Sequence, residues 1–334
     1  MSQQTTIAGR YEIAALIGQG GMGAVYRALD TKTGETVAIK SLKSEVVEGN
    51  PDLVERFTRE AEVLRRLNHP SIVAILDAIE DNNQYHIIME YVSGGSLRDL
   101  LRKQGQLPVA RVLEIALDLA DALTRTHRLK IIHRDIKPAN VLLAEDGTPR
   151  LTDFGVAHLD DLSRVTQTGS VIGTYAYLSP EACNGELQDE RADIWSFGVV
   201  LFEMLAGKNP FDQGSPAQTL MAILNSLVPT LSEFRPDVPP SLEVLINRML
   251  SKSKEDRIDS VRQVGAELEA ILRSLDTQAR ANVRDILPAT SGSRFTSATP
   301  TPAALPFSAE PDESRTPEAT PSTKTPFSDA TPNS

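Results

Sequence analysis

Residues 11–42 alternate apolar and polar positions around glycine-rich turns, the period-two signature of half-buried strands. Three strands are predicted, Tyr11–Ile17, Ala24–Leu29 and Thr36–Leu42, with hairpin turns near Gly20-Gly21 and Lys32-Thr33-Gly34. A helix follows from about Pro51-Asp52 to Leu67, carrying Leu53, Phe57, Leu64 and Leu67 on one face. Glu60 occupies the missing place in that stripe, and a carboxylate there is costly without a cation opposite. Strands around Ile72–Ile79 and Tyr85–Tyr91 complete a unit of five strands and one helix, and Ser93-Gly94-Gly95-Ser96 punctuates the chain. Beyond it the period turns helical. Val109, Val112, Ala116, Leu119 and Leu123 form the stripe of a long helix starting near Pro108. Short apolar runs at 131–132, 141–143 and 150–152 are candidate strand fragments, and Trp195–Leu205, Leu242–Leu250 and Val261–Leu275 read as helices.

The pattern divides the chain into an N-terminal extension (1–10), a strand-rich part (11–91), a helix-rich part (92–277) and a tail (278–334). Nearly half of residues 282–334 are Pro, Thr or Ser, too few apolar groups to offset chain entropy, so disorder is expected there. The other 281 residues carry ordinary globular usage. Over 334 residues the formal net charge is −11, which argues against a general nucleic-acid binder. One anionic ligand held by backbone N–H groups, a lysine or a metal stays compatible with it. Cys183 is the only cysteine, so neither an internal disulfide nor a cysteine zinc site can form, and a reducing compartment fits. No secretory pattern opens the chain and no run of 18 apolar residues occurs, so a cytoplasmic protein without a transmembrane segment is expected.

Three groups of residues bear on chemistry. In Gly18-Gln19-Gly20-Gly21-Met22-Gly23-Ala24-Val25, glycines at i, i+2 and i+5 can bring backbone N–H groups against phosphate oxygens, though an ordinary hairpin turn has the same look. A dinucleotide fingerprint is disfavoured because a strand follows, and no Gly-Lys-Ser/Thr is present for a Walker loop. Lys40 interrupts the apolar strand Val37-Ala38-Ile39 and is the natural partner for Glu60. Their bridge is read either as structural or as holding the ammonium against nucleotide phosphates, and the two readings are compatible. The third group is Ile131-Ile132-His133-Arg134-Asp135-Ile136-Lys137-Pro138-Ala139-Asn140-Val141-Leu142-Leu143, followed by Leu151-Thr152-Asp153-Phe154-Gly155.

Taken in this order and spacing, from residue 11 to about 277, these motifs resemble those of the eukaryotic-type (Hanks-type) serine/threonine protein kinases of bacteria. The resemblance implies an α+β, two-lobed kinase fold: a small β-rich lobe with one main helix over a larger helical lobe. It implies transfer of the ATP γ-phosphate to protein Ser/Thr hydroxyls with Mg²⁺, or Mn²⁺ in its place. Asp135 would be the catalytic base, Lys137 would contact the γ-phosphate, and Lys40 with Glu60 would anchor the phosphates. Asn140 and Asp153 would hold the metal. ATP would lie against Ile17, Gly18, Gln19, Gly20, Gly21, Met22, Gly23, Ala24, Val25, Ala38 and Lys40 above, and Met89, Glu90, Val92 and Leu142 at the hinge and floor. At the hinge, a buried strand end is an alternative that sequence alone does not separate. His133, Phe154, Leu64 and Ile75 would stack as a spine supporting the site.

The resemblance also implies an activation segment from Asp153 to Glu181, ending in Ser179-Pro180-Glu181, where many members have Ala-Pro-Glu. Glu181 would pair with Arg257, and Asp193 would brace the backbone at His133-Arg134. Gly173 and Thr174 would form the substrate-facing loop, with Thr174 bonding Asp135 and Lys137. Arg134 leaves a cation for a phosphorylated loop, so autophosphorylation in trans at Thr166 and Thr168, within a transient dimer, is expected. Six Thr-Pro pairs in the tail, at Thr299, Thr301, Thr316, Thr320, Thr325 and Thr331, are candidate phosphorylation sites for phosphothreonine-reading partners. Family members often run on into a membrane helix and sensor domain; with neither in this sequence, a receptor is not expected. Two rival readings are disfavoured. A silent scaffold is disfavoured because Lys40, Glu60, Asp135, Asn140 and Asp153 are all present. A small-molecule phosphotransferase is disfavoured by Lys137 and the segment 173–181.

Overall fold

The computed structural model describes residues 5–20, 23–42, 62, 64–154 and 175–286. Its first part is one antiparallel sheet of β1 (Thr6–Ile7), β2 (Tyr11–Gln19), β3 (Gly23–Asp30), β4 (Thr36–Leu42), β5 (Ile75–Asp81) and β6 (Gln84–Glu90), in the order β1-β2-β3-β4-β6-β5. Period two sorts β4 between two apolar layers. Ala38 and Leu42 face Val73, Ile87 and Met89, while Val37 and Ile39 face Ile7, Tyr11, Ala28 and Ile88. Register sets Lys40 opposite Val25 on one side and Ile87 on the other, and Ala38 opposite Met89.

β1 extends the expected five strands to six. Ile7 is buried in the outer layer, Ala8 and Gly9 turn the chain with positive φ, and the Ala8 N–H donates to Asp81 at 2.8 Å. Two residues are too few for an alternation to register in sequence. Arg10 binds both oxygens of Asp30, which holds that carboxyl well below the usual carboxylate range. The fifth strand is displaced: it runs Ile75–Asp81 rather than Ile72–Ile79, and Ile72 makes only an isolated bridge to Leu151. Most of the helix expected at 51–67 lies outside the described residues.

The second part is helical. α1 (Leu97–Gln104) carries a capping box between Ser96 and Asp99 and buries Leu97 and Leu101. Eight residues with two buried leucines gave no clear stripe, and the sequence reading missed it. α2 (Val109–Arg128) buries Val112, Ala116, Leu119 and Leu123, as its stripe predicts. After the hairpin β7 (Val141–Leu143) and β8 (Pro149–Leu151) come α3 (Pro180–Cys183), α4 (Glu190–Ala206), α5 (Pro216–Asn225), α6 (Leu231–Phe234), α7 (Pro240–Met249) and α8 (Val261–Ile286). α4 is enclosed on all sides: Trp195, Phe197 and Phe202 are fully buried, and each contributes roughly 1.5–3 kcal/mol by leaving water. α8 lies along α2, where a Cβ on Gly265 would sit 3.4 Å from that of Ala120. It continues to Ile286, past the 275 limit of its apolar period and the 277 boundary drawn before the tail. Residues 131–132 form no strand. They lead into a loop whose backbone is held by the Asp193 side chain of α4, and a local pattern carries no trace of that.

Candidate active site

The loop from His133 to Asn140 is built on a single buried carboxylate. Asp193, fully buried at the start of α4, accepts from the His133 N–H (Oδ2, 2.8 Å), the Arg134 N–H (Oδ1, 2.8 Å) and His127 Nε2 (2.7 Å). Arg134 has φ +64°, which is strained for a side chain with a Cβ, and Asp193 fixes it there. His133 is entirely buried, so desolvation pushes its pKa down and it is neutral. Its partners assign the tautomer: Nδ1 accepts from the Asp135 N–H at 3.3 Å and Nε2 donates to the Thr152 carbonyl at 3.0 Å. The ring lies 4.4 Å from that of Phe154, and Leu64, Ile75 and Phe154 belong to one apolar cluster, as the spine reading requires.

This frame converges polar groups on one point. Asp135 Oδ2 receives Lys137 Nζ at 2.7 Å and Asn140 Nδ2 at 2.8 Å, and Asn140 Nδ2 also reaches the Asp135 carbonyl at 2.9 Å. The Asn140 carbonyl accepts from Thr152 N–H, tying the loop to the strand end that carries Asp153, which has φ +58°. Lys40 Nζ lies 2.6 Å from Asp153 Oδ1. Its sequence-predicted partner Glu60 lies outside the described residues. Val25, Ala38, Met89, Val92 and Leu142 belong to one apolar cluster. A cavity behind Met89 reaches Lys40, Ile75, Asp153 and Phe154. Glu90 spends its carboxylate on Arg150 (3.0 Å) and on the Ala74 N–H (2.9 Å), which leaves only its backbone for recognition.

Among the described residues no group of three His, Cys, Asp or Glu could hold a metal by itself. The donor set does fit a hard cation brought in with phosphates. Both contacts of the Asn140 NH₂ go to Asp135, so its amide oxygen is the atom left for a cation.

The segment after the loop is anchored by groups that the sequence reading did not single out. Ser196 Oγ donates to the Tyr177 carbonyl at 2.7 Å, Tyr177 OH to Glu203 at 2.6 Å, and Asn209 Nδ2 to the Ala176 carbonyl at 3.3 Å. His127 was missed too, although a histidine on the buried stripe of α2 was a usable signal. Glu181 and Arg257 do pair, at 2.8 and 3.0 Å, both buried. Burial pushes the Glu181 carboxyl up, but the Arg257 hydrogen bonds and charge outweigh it and its pKa is lowered. Gly21, Met22, Thr166, Thr168, Gly173 and Thr174 lie outside the described residues; Ile17, Gly18, Gln19, Gly20, Gly23 and Ala24 lie on or beside the β2–β3 hairpin. There Gly20 N–H bonds the Gly23 carbonyl at 2.9 Å, and a Cβ on Gly23 would fall 2.0 Å from the Ser41 carbonyl.

The strand-rich part thus brings Lys40 to Asp153, and the helical part brings Lys137 and Asn140 to Asp135. Residues 11–267 match the family described as protein kinase domain, and the chain belongs to that family. Such enzymes use ATP with a divalent metal, and their substrates are proteins. Over 263 residues the chain is 37% identical to the serine/threonine-protein kinase PrkC of Bacillus subtilis, covering 79% of this chain and 40% of that protein. It is 38% identical over 275 residues to the serine/threonine-protein kinase PknB of Mycolicibacterium smegmatis, covering 80% and 44%. It is 35% identical over 266 residues to the serine/threonine-protein kinase PknL of Mycobacterium tuberculosis, covering 80% and 66%. The chain thus spans about two fifths of the length of PrkC and PknB. Among the described residues no helix is long and apolar enough to cross a membrane.

Proposed function

We propose that the chain is a serine/threonine protein kinase whose catalytic domain occupies residues 11–277. The observations that support this reading are two groups joined by the Thr152 N–H to Asn140 carbonyl bond: Asp135 with Lys137 and Asn140, and Asp153 with Lys40. Asp135 orients the acceptor hydroxyl and takes its proton while that oxygen bonds the γ-phosphorus and the bond to the β-phosphate oxygen breaks, releasing ADP. The transition state is loose, so positioning and charge neutralisation dominate. Lys40 and Lys137 supply positive charge on either side. When bound, Mg²⁺ (or Mn²⁺) neutralises the phosphate oxygens, and Asn140 and Asp153 would hold it. Val25, Ala38 and Leu142 enclose the adenine, with backbone groups of Glu90 and Val92 along its edge.

Arg134 supports a second part of the proposal, activation by phosphorylation in trans at Thr166 and Thr168. Its Nε is buried with no hydrogen-bond partner among the described residues, an open donor beside the catalytic base. Phosphothreonine-reading partners of the Thr-Pro tail belong to the same reading. The compartment it implies is the cytoplasm, where ATP is present and the single thiol, Cys183, stays reduced. Radiolabelled phosphate transfer from ATP to a protein acceptor tests the assignment. Wild type is expected to label Ser/Thr and Asp135→Asn to lose at least about a hundredfold in rate; equal labelling by both overturns the assignment. Thr166→Ala/Thr168→Ala is expected to lower turnover sharply, and unchanged turnover refutes the activation step.

A further inference from the structure

Tyr91 and Val92 join β6 to the helical part, and the hairpin β7–β8 holds the chain on both sides of them. On the far side the ties are mostly backbone. The Gly94 N–H donates to the Leu143 carbonyl at 2.9 Å, the Leu143 N–H to the Gly95 carbonyl at 2.8 Å, and Ser93 Oγ to Glu145 at 2.9 Å. A Cβ on Gly94 would run into the Leu143 carbonyl, so only glycine fits that closure. On the near side the tie is between side chains. Arg150 Nη1 bridges the Glu90 carboxylate, at 3.0 Å from Oε1 and 3.2 Å from Oε2.

The register of its own hairpin places Arg150 for this. It lies directly opposite Leu142, and residues opposite each other in an antiparallel pair stand on the same face. Leu142 in turn packs in the apolar cluster of Val25, Ala38, Met89 and Val92. Glu90 is also held from its own sheet, where Oε1 accepts from the Ala74 N–H at 2.9 Å and the Glu90 N–H donates to the Ala74 carbonyl at 3.0 Å. Asp146, in the β7–β8 turn, lies within range of the same guanidinium charge but hydrogen bonds the Thr148 N–H at 2.9 Å. The Arg150 and Glu90 side chains are only 28% and 26% exposed, so the pair is screened less than a surface bridge.

We propose that Arg150 is a positioning residue for the nucleobase: it fixes the Glu90 end of the 91–92 segment relative to Leu142, so that the backbone of Glu90 and Val92 and the Leu142 side chain meet one flat ring together. The inference rests on the adenine reading above and adds to it a residue that does not itself touch the ring. Backbone bonds from Leu151 to Ser71 and Val73 hold β8 near the same place, so removing the guanidinium loosens the Glu90 end rather than freeing it. The carboxylate keeps the Ala74 N–H, loses its counter-charge and turns toward water. A half-buried charge pair of this kind is worth about fivefold in affinity. Lys40 and Asp153, on the phosphate side, keep their own pairing.

The test is calorimetric titration of the full chain with adenosine, which carries the ring and no phosphates, beside steady-state kinetics with ATP. Arg150→Gln is expected to raise the adenosine Kd and the KM for ATP each about fivefold, with kcat changed less than about twofold and the KM for the protein acceptor at its wild-type value. Arg150→Lys returns a cation to the same two oxygens and is expected to bring both constants to within about twofold of wild type. The stoichiometry of the titration counts the folded fraction, so a destabilised variant still yields a Kd. A purely structural role would lower the urea midpoint of Arg150→Gln and leave its adenosine Kd unchanged, and that result overturns the proposal. Equal weakening by lysine and glutamine overturns it as well, because charge would then not be what holds Glu90. Failure of wild type to bind adenosine or to label any acceptor would instead sink the nucleotide reading itself.

Discussion

Replacing Asp193 by asparagine tests whether one buried carboxylate shapes the catalytic loop. The carboxylate is fully buried and serves three donors at 2.7–2.8 Å: two backbone N–H groups and His127. Asparagine keeps the shape and one acceptor oxygen but turns an NH₂ toward a site where only donors converge. One of the two backbone N–H groups then loses its partner and faces another donor. A buried unsatisfied donor costs about 1–3 kcal/mol, and the lost charge assistance adds to it, so about 2–4 kcal/mol is expected. Against a typical total of 5–15 kcal/mol the variant still folds. Trp195, the only tryptophan, sits fully buried two residues along α4 and reports unfolding in urea by fluorescence. The His133–Arg134 backbone should relax away from its positive φ, moving Asp135, and kcat should fall at least about tenfold under conditions where the variant is fully folded. A stability loss below about 1 kcal/mol together with an unchanged kcat would refute the reasoning.

Other perturbations have separate readouts. Glu181→Gln breaks a buried ion pair and leaves the Arg257 guanidinium without its counter-charge, which should cost about 3–5 kcal/mol in urea unfolding; a loss under 1 kcal/mol would show that the arginine's other bonds suffice. Burial lowers the pKa of His133 and His86 in the folded protein, so the unfolded chain binds more protons below its ordinary histidine pKa. Stability is therefore retained above about pH 6.5 and falls as pH drops below it, by up to about 1.4 kcal/mol per pH unit for each histidine. His86→Gln, which keeps a hydrogen-bonding group for Ser41, should reduce that slope, and an identical slope would count against it. Gly23→Ala puts a methyl 2.0 Å from the Ser41 carbonyl, so the β2–β3 hairpin must shift. The KM for ATP should rise about tenfold, and an unaltered KM would detach this hairpin from nucleotide binding.

Much of the fold was legible because its long elements carry their own period. β3 alternates exposed and buried positions from Arg27 to Asp30, and α2 repeats its stripe through Leu123, so each of these elements announces its buried face. Short elements do not. β1 has two residues and α1 has two buried leucines, and both are held by partners distant in sequence, Asp81 for the first and β7 for the second. Lys40 stood out as a charge inside an apolar strand, and Asp135, Asn140 and Asp153 through their spacing. Tyr177 and Glu203 carried no such local mark, because each is defined by a partner 26 residues away.

The residue types able to do the chemistry were set by the sequence alone, together with the two-lobed division, whereas the pairing of Glu181 with Arg257 and the bracing by Asp193 were implied only by the family resemblance. What the sequence could not determine is where those groups point. Only the tertiary structure decides that Lys40 meets Asp153, that His127 joins the Asp193 carboxylate, and that Tyr177 is held by Glu203. The physical reason is range. Periodicity and turn propensity act over a few residues, whereas a buried hydrogen bond or an exposed charge cluster depends on groups that meet only when the chain closes on itself.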